Sequence, residues 1–262
     1  MKQVSFNKYK FYCNRCGDCC YDVLVKRQIP VPLYDHTGRF KFNPNTSAIV
    51  NYHEKPDIEK FIKNKTNFNV NIKPMEVFFF KDFQIGFIYE YQMGVEDKQN
   101  CYYYDKKNRR CNIYLHRPAV CKYFPLQIAN QNFHIPKPST DCPLIRIYID
   151  NQYKVKNKEK IQFKIDYDHL KIAFPKEYKL FLKTRAEWYI QNLYFSKFFG
   201  DLLIPLSELS PKRIKGYEIR DMTYFLEWAK SNFKEPEKIS LLEEYKENYE
   251  IIAKKILKDK VY

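Results

Sequence analysis

The chain of 262 residues is 45% hydrophobic and 29% charged, a balance typical of a folded protein with a core rather than a disordered one. Its formal net charge of +15 is compatible with binding to an unknown protein or another acidic partner. Binding to nucleic acid has no support beyond that charge, because the sequence has no nucleic-acid recognition motif. No segment approaches the ~18 consecutive apolar residues of a membrane span, and the first residues lack the apolar segment of a secretory signal, so we expect a cytoplasmic protein.

All eight cysteines lie at or before position 142, and this asymmetry divides the chain. We expect a cysteine-rich metal-binding domain over residues 1–150, built from short strands and hairpins, followed by a helical domain over residues 151–262. The fold class that this organisation predicts is α+β. In a cytoplasmic protein, clustered cysteines more often bind metal or carry redox chemistry than form structural disulfides.

Aromatic and β-branched residues dominate the stretch 75–92, which predicts two strands joined around Lys81 and Asp82. Both strands are expected in the core, because their residues are mostly apolar. Two further hairpins are predicted from pairs of apolar runs around polar turns: 102–104 with 111–114, and 126–128 with 133–135.

Helical patterns dominate the second half. Residues 175–200 contain no internal proline or glycine, Pro175 suits the first position of a helix, and Gly200 suits the position after its end. Asp221 can cap a second helix. A third helix is predicted from about Ser240, where apolar residues recur at intervals of three and four.

Cys13, Cys16 and Cys19 form the pattern C-x2-C-x2-C near the start of the chain. This spacing is typical of iron–sulfur proteins, because each thiolate of such a loop can reach a different iron of a cubane cluster. Gly17 lets the backbone come close without the hindrance of a Cβ atom. Cys20 directly follows Cys19, and because adjacent side chains diverge, the two need not bind the same metal.

Zinc is the alternative metal. Structural zinc sites usually combine two C-x2-C knuckles, or one knuckle and a histidine pair, whereas this chain has no second knuckle. The eight thiols can furnish two four-thiolate sites, or one site with four further thiols in structural roles, and their spacing does not choose between these. The candidate metal ligands are Cys13, Cys16, Cys19, Cys20, Cys101, Cys111, Cys121 and Cys142.

A second motif lies in the run Cys111–Pro125, which reads C-x-I-Y-x-x-R-P-x-x-C-x-x-F-P and follows the first motif, C-x2-C-G-x-C-C. Together the two motifs closely resemble the YkgJ-type CxxCxxCC cysteine-cluster family, described as a zinc- or iron-chelating domain. The resemblance covers residues 13–143 and implies that the cysteines chelate metal. It extends more distantly to the flagellin lysine N-methylases, which implies iron–sulfur-dependent methyl transfer as a chemistry.

Arg117 is the candidate cofactor-binding residue of the second motif. It can donate to sulfur and offset the negative charge of a cluster, or it can pair with a carboxylate and hold the turn. Pro118 suits the first position of a short helix that presents Cys121 one turn further on. Tyr114 is expected to shield the site from water, and a structural role is favoured for His116 over ligation or proton donation.

A nucleotide site is disfavoured, because the chain has no G-x-G-x-x-G segment and no Walker loop. The sequence favours a metal-binding protein that holds an iron–sulfur cluster, of the [4Fe-4S] type, over one that holds zinc. Two classes of function stay open. One is an enzyme, either an iron–sulfur-dependent oxidoreductase or a methyltransferase, whose catalytic residues the sequence does not identify. The other is a zinc-binding structural or interaction module without catalysis.

Overall fold

The computed structural model describes most of the first half of the chain and part of the second. The described residues are 6, 9–17, 19–20, 40–41, 48–96, 100–129, 132–139, 142–153, 167–185, 187, 202–204 and 213–233. Helices and strands are mixed along them, which confirms the predicted α+β class. The helix predicted from Ser240, and the end of the helix predicted up to Gly200, lie outside these residues.

The largest sheet is built on a central antiparallel hairpin with shorter strands on either side. The strands are β1 (Phe40–Lys41), β2 (Ile49–Asn51), β3 (Ile72–Phe80), β4 (Ile85–Met93) and β11 (Glu218–Asp221). Their order is β1-β3-β4-β11, and β2 also pairs with β4. Strand β11 pairs with Ile85–Ile88 of β4, and β2 pairs with Glu90–Gln92. The β3–β4 hairpin turns between Phe80 and Ile85, which confirms the two strands predicted around Lys81 and Asp82.

Three smaller two-stranded sheets follow the central hairpin. Their strands are β5 (Val95–Glu96), β6 (Asn100–Cys101), β7 (Tyr104–Asp105), β8 (Arg110–Cys111), β9 (Leu126–Ala129) and β10 (Asn132–Pro138). The β7–β8 and β9–β10 pairs confirm the two further hairpins, although β7 and β8 are only two residues long each. These small sheets matter for function because two of them carry cysteines.

The helices are short. They are α1 (Lys55–Lys65), α2 (Ala119–Tyr123), α3 (Pro143–Tyr153), α4 (Tyr167–Ala173), α5 (described over 175–185) and α6 (Phe225–Asn232), with 3-10 turns at Tyr114–His116 and Met222–Tyr224. Helix α5 begins at Pro175, as predicted. The Asp221 side chain accepts from the backbone N–H of Thr223 and so caps the 3-10 turn that leads into α6, whereas α6 itself has Tyr224 as its N-cap, without a side-chain cap. Every helix within the described part of the chain is too short or too polar to cross a bilayer.

The apolar run of β3 is continuous because both faces of the sheet are covered. Successive side chains of a strand point to opposite faces. Val77 and Phe79 lie with Ile62 of α1 in one core cluster, whereas Phe80 lies with Phe225 of α6 in another. Full burial of one such side chain contributes about 1.5–3 kcal/mol, so the central hairpin holds the two layers together.

The second half of the chain is not wholly helical, which corrects the prediction for residues 151–262. Strand β11 pairs in parallel with β4, from Glu218 opposite Ile85 to Asp221 opposite Ile88. Edge strands of this kind are polar on their open side, so their sequence does not read as a buried strand. Residue 150 lies inside α3, and the division into domains over 1–150 and 151–262 stays a prediction.

Candidate metal centre

The first cysteine motif lies on an irregular loop that two left-handed residues fold back on itself. Arg15 has a φ of 59° and Gly17 a φ of 79°. A Cβ atom on Gly17 would lie 2.4 Å from Tyr104 Cε2 and 2.9 Å from the carbonyl oxygen of Arg109. The sequence predicts a close approach at Gly17, and the structure identifies its neighbour as the β7–β8 hairpin.

Backbone hydrogen bonds attach this loop to two other parts of the fold. The Cys101 N–H donates to the carbonyl of Cys20 over 3.0 Å, which joins the end of the motif to β6. The Phe11 N–H donates to the carbonyl of Ala173 over 2.9 Å, and the Phe11 ring is buried. The loop is therefore held between the small sheets and the helical layer, which is formed by α2, α3, α4 and α5 around one core cluster.

Cys101 and Cys111 extend from β6 and β8 and pack against the core cluster of the central hairpin. Backbone N–H groups two residues further along, at Tyr103 and Ile113, donate to their sulfurs. Burial raises the pKa of the Cys101 thiol to about 12 against the effect of its hydrogen bond. A thiol with so high a pKa is protonated at neutral pH, so binding of metal there releases a proton.

Cys142 lies directly before α3 and is buried, with 6% of its surface exposed. Burial raises the pKa of its thiol, and the backbone N–H groups of Ile145 and Leu144 oppose this by donating to the sulfur. These donors sit at the N-terminus of a helix, where the dipole also favours negative charge. The first turn of α3 thus offsets part of the effect of burial, and the pKa of the Cys142 thiol stays raised.

Cys121 lies on α2, whose start differs slightly from the prediction. Pro118 is the N-cap of this helix rather than its first residue, and its side chain cannot cap. Instead, the carboxylate of Glu54 accepts from the Ala119 N–H over 2.8 Å. A carboxylate at this end of a helix satisfies a free N–H and complements the dipole, so Glu54 fixes the short helix that carries Cys121.

These elements bring the sulfur ligands to one cavity. It contains about 720 Å³ of space, part of it open to solvent, and all eight predicted cysteines line it. Within the described part of the chain the other lining residues are mostly apolar and include no carboxylate or imidazole. Apart from the Asn14 amide and the Tyr114 hydroxyl, the donors that line the cavity are sulfurs, which suits zinc, iron and iron–sulfur clusters better than hard cations.

The thiols are close to one another without yet surrounding a common point. The Sγ atoms of Cys19 and Cys20 are 4.0 Å apart. Among the described residues, no group of three or more His, Cys, Asp or Glu side chains already has the arrangement of ligands around a single ion. The eight cysteines are all free thiols. The chemistry of the donor set fits a thiolate-bound metal.

Arg117 lies beside this cavity and over the ring of Tyr114, with its Cζ atom 4.0 Å from the ring centroid. Its positive charge is one of the causes that lower the pKa of the Cys111 thiol, after the hydrogen bond from Cys20. Its buried Nε atom has no hydrogen-bond partner, and none of the ion pairs among the described residues joins it to a carboxylate. Its charge also acts to lower the pKa of the Glu177 carboxyl against the effect of burial, so both predicted roles, toward sulfur and toward a carboxylate, have a partner in the structure.

Arg15 is a feature of the site that sequence reasoning missed. Its Cζ atom lies 4.4 Å from the centroid of the same Tyr114 ring, so two cations flank the thiols. Its position between the ligand cysteines Cys13 and Cys16 was the feature of the sequence that could have identified it. His116, in contrast, stacks on Phe61 at 3.9 Å between centroids and does not line the cavity, which agrees with the favoured structural role.

The comparisons agree with this geometry. Residues 12–143, just over half of the chain, match the model of a family named CxxCxxCC and described as "Putative zinc- or iron-chelating domain". No curated protein and no solved structure matches the chain. The resemblance to flagellin lysine N-methylases stays a prediction. The matched segment contains both motifs and every cysteine that lines the cavity, and the chain belongs to the CxxCxxCC family.

Proposed function

We propose that the protein holds an iron–sulfur cluster through the cysteines of this cavity and uses it for redox chemistry. The observation that carries the proposal is that all eight thiols line one cavity with mostly apolar walls. Metal chelation itself follows from family membership. The identity of the metal and the reaction are the parts that we propose.

The spacing of the cysteines supports a cluster rather than single zinc ions. Around a tetrahedral zinc ion with Zn–S distances of about 2.3 Å, sulfurs are about 3.8 Å apart. A cubane spreads its thiolates more widely, because each binds a different iron. The C-x2-C-x2-C pattern recurs in iron–sulfur proteins, whether its thiols bind one cluster or are divided between two.

Zinc in a closed structural site is the second candidate. The observation that favours it is the distance of 4.0 Å between the sulfurs of Cys19 and Cys20, which is close to the tetrahedral value. In that case the protein would be a structural or interaction module. We favour the redox enzyme because the C-x2-C-x2-C pattern is typical of iron–sulfur proteins.

The surrounding residues have two tasks. An iron–sulfur cluster supplies one-electron redox chemistry at a potential that depends on charge, hydrogen bonds to sulfur and exposure. The backbone N–H groups of Tyr103, Ile113 and Leu144 donate to cysteine sulfurs and so disperse negative charge. Apolar walls such as those of Met93 and Phe124 limit the access of water. Methyl transfer is a further proposal, supported by the resemblance alone.

The test is an ultraviolet–visible spectrum of protein purified without oxygen, with iron, sulfide and zinc quantified on the same sample. We expect a brown protein with broad thiolate-to-iron absorption that bleaches on reduction, and iron matched by sulfide. A colourless protein with stoichiometric zinc, which forms no cluster on reconstitution, would contradict the proposal and favour the zinc module.

Arg117→Gln is expected to lower the reduction potential by an amount on the order of 50 mV, because a nearby positive charge favours the reduced state by about 1 kcal/mol. The measurement is a redox titration followed by absorption. Arg220→Gln is the control, since Arg220 is an exposed arginine on β11 that pairs with Glu218 over 2.7 Å. Equal shifts in the two variants would show that Arg117 has no specific effect on the metal.

A further inference from the structure

Four of the thiols form a compact group around β6 and β8. The Sγ atoms of Cys19 and Cys20 are 4.0 Å apart, and the hydrogen bond from the Cys101 N–H to the Cys20 carbonyl fixes the loop against the strand. Cys101 and Cys111 pack against the core cluster of the central hairpin. We name these residues the inner set: Cys19, Cys20, Cys101 and Cys111.

The other four thiols lie toward the helical layer. The Phe11 N–H donates to the Ala173 carbonyl over 2.9 Å, and the buried Phe11 ring shares a core cluster with Cys142, which places the start of the motif toward α3 and α4. Cys142 belongs to the core cluster of the helical layer rather than to that of the central hairpin. We name this group the outer set: Cys13, Cys16, Cys121 and Cys142.

Two observations assign Cys121 to the outer set. Its neighbours on α2, Val120 and Tyr123, pack within the same core cluster that contains Cys142. The end of α2 is also tied to the start of α3, because the Ser139 N–H donates to the Pro125 carbonyl over 2.7 Å and the Cys142 N–H donates to the Ser139 carbonyl over 3.2 Å. Cys121 and Cys142 are thus carried by one connected piece of backbone.

We infer that the eight cysteines form two separate metal sites, one held by the inner set and one by the outer set. The inference rests on the proposed metal-binding function and adds which thiolates share a site. The first motif is divided between the two sites, since Cys13 and Cys16 belong to one and Cys19 and Cys20 to the other. Four thiolates are the complement of a closed tetrahedral ion or of a cubane.

The two sites differ in access to solvent. Cys13 is exposed, and its neighbour Tyr12 is 76% exposed, whereas all four cysteines of the inner set are partly buried. Cys142 of the outer set is buried, so it is at Cys13 that a dissolved reagent or an electron-transfer partner first reaches the outer site. The inner site fixes the β6 and β8 ends of the fold.

The experiment compares Cys13→Ser and Cys111→Ser with the unsubstituted full chain, all purified without oxygen. Bound metal is quantified per protein, and its release to a soluble chelator is followed over time. Cys16→Ser and Cys101→Ser repeat the comparison within each set, and circular dichroism identifies any variant that fails to fold. We expect the metal lost from Cys13→Ser and that lost from Cys111→Ser to add up to the total.

Release from the unsubstituted chain is expected in two phases, of which Cys13→Ser loses the fast one and Cys111→Ser the slow one. Complete loss of metal from a folded single variant, or release in one phase, would overturn the division while leaving metal binding intact. An unsubstituted chain that binds no metal, even after reconstitution, would instead overturn the proposed function and the division with it.

Discussion

Gly17→Ala is expected to lose at least the metal held by the inner set, whereas Gly216→Ala keeps its full metal content. Both glycines have a left-handed backbone, with φ values of 79° and 92°, so alanine strains each position by about 1–2 kcal/mol. Only at Gly17 does the added Cβ atom also meet other atoms, 2.4 Å from the ring of Tyr104 and 2.9 Å from the carbonyl of Arg109. At Gly216 nothing lies within 4 Å.

The clash at Gly17 cannot be relieved cheaply, because the Tyr104 ring is buried and Arg109 contributes its backbone. The loop must move away from the β7–β8 hairpin, which separates Cys19 and Cys20 from Cys111. Metal content and thermal unfolding of both variants test this. If Gly17→Ala retains its full metal content, the loop does not need the close approach that the structure assigns to it.

Asp221→Asn is expected to lower the free energy of unfolding by about 1–3 kcal/mol, the range for a partly buried carboxylate with several charge-assisted bonds. Its side chain accepts from the Tyr91 hydroxyl, from the Thr223 N–H at 3.0 Å and from the Thr223 hydroxyl at 2.9 Å, and its Oδ2 lies 3.5 Å from Lys55 Nζ. One carboxylate therefore joins β4, β11 and α1, and it is only 19% exposed.

The contribution of the Asp221 carboxylate to the free energy of unfolding decreases in acid. Burial raises the pKa of Asp221, but the hydrogen bonds from Tyr91 and Thr223 and the charge of Lys55 outweigh it, so the pKa is lowered. The stabilisation is complete above the unfolded pKa of about 3.9 and is lost as the pH falls through the lower folded value. Above that range the carboxylate is ionised in both states.

Urea unfolding at neutral pH and through the acid range measures this effect. The difference between the unsubstituted chain and Asp221→Asn should be largest at neutral pH and should shrink in acid. Asp82→Asn is the control, because Asp82 is exposed in the turn between β3 and β4. A difference that stays constant down to the lowest measurable pH would show that the effect of the substitution does not come from the ionised carboxylate.

Local sequence signals predicted the elements that local interactions form. The run 75–92 gave its hairpin because aromatic and β-branched residues favour strands and the turn lies between them. Asp221 could be recognised as a capping residue because a short acidic side chain can accept from an N–H two residues further on. Strand β11 escaped prediction, because its pairing with β4 joins Glu218 to Ile85 across more than a hundred residues.

The candidate site shows the same limit. The ligand residue types and the two motifs were evident, because cysteine clusters are rare and their spacing has a chemical meaning. Which thiols lie together was not evident, since the backbone hydrogen bond that joins Cys101 to Cys20 forms only in the folded chain. The capping of the Cys121 helix by Glu54 is a long-range contact of the same kind.

X-ray absorption at the iron and zinc edges of anaerobically purified protein tests the central claim most directly. We expect an iron signal whose nearest neighbours are all sulfur, with a second shell of iron, as in a thiolate-bound cluster. Nitrogen or oxygen ligands around the metal would contradict the all-thiolate site. A zinc signal with four sulfurs, and no iron, would contradict the cluster and with it the proposed redox function.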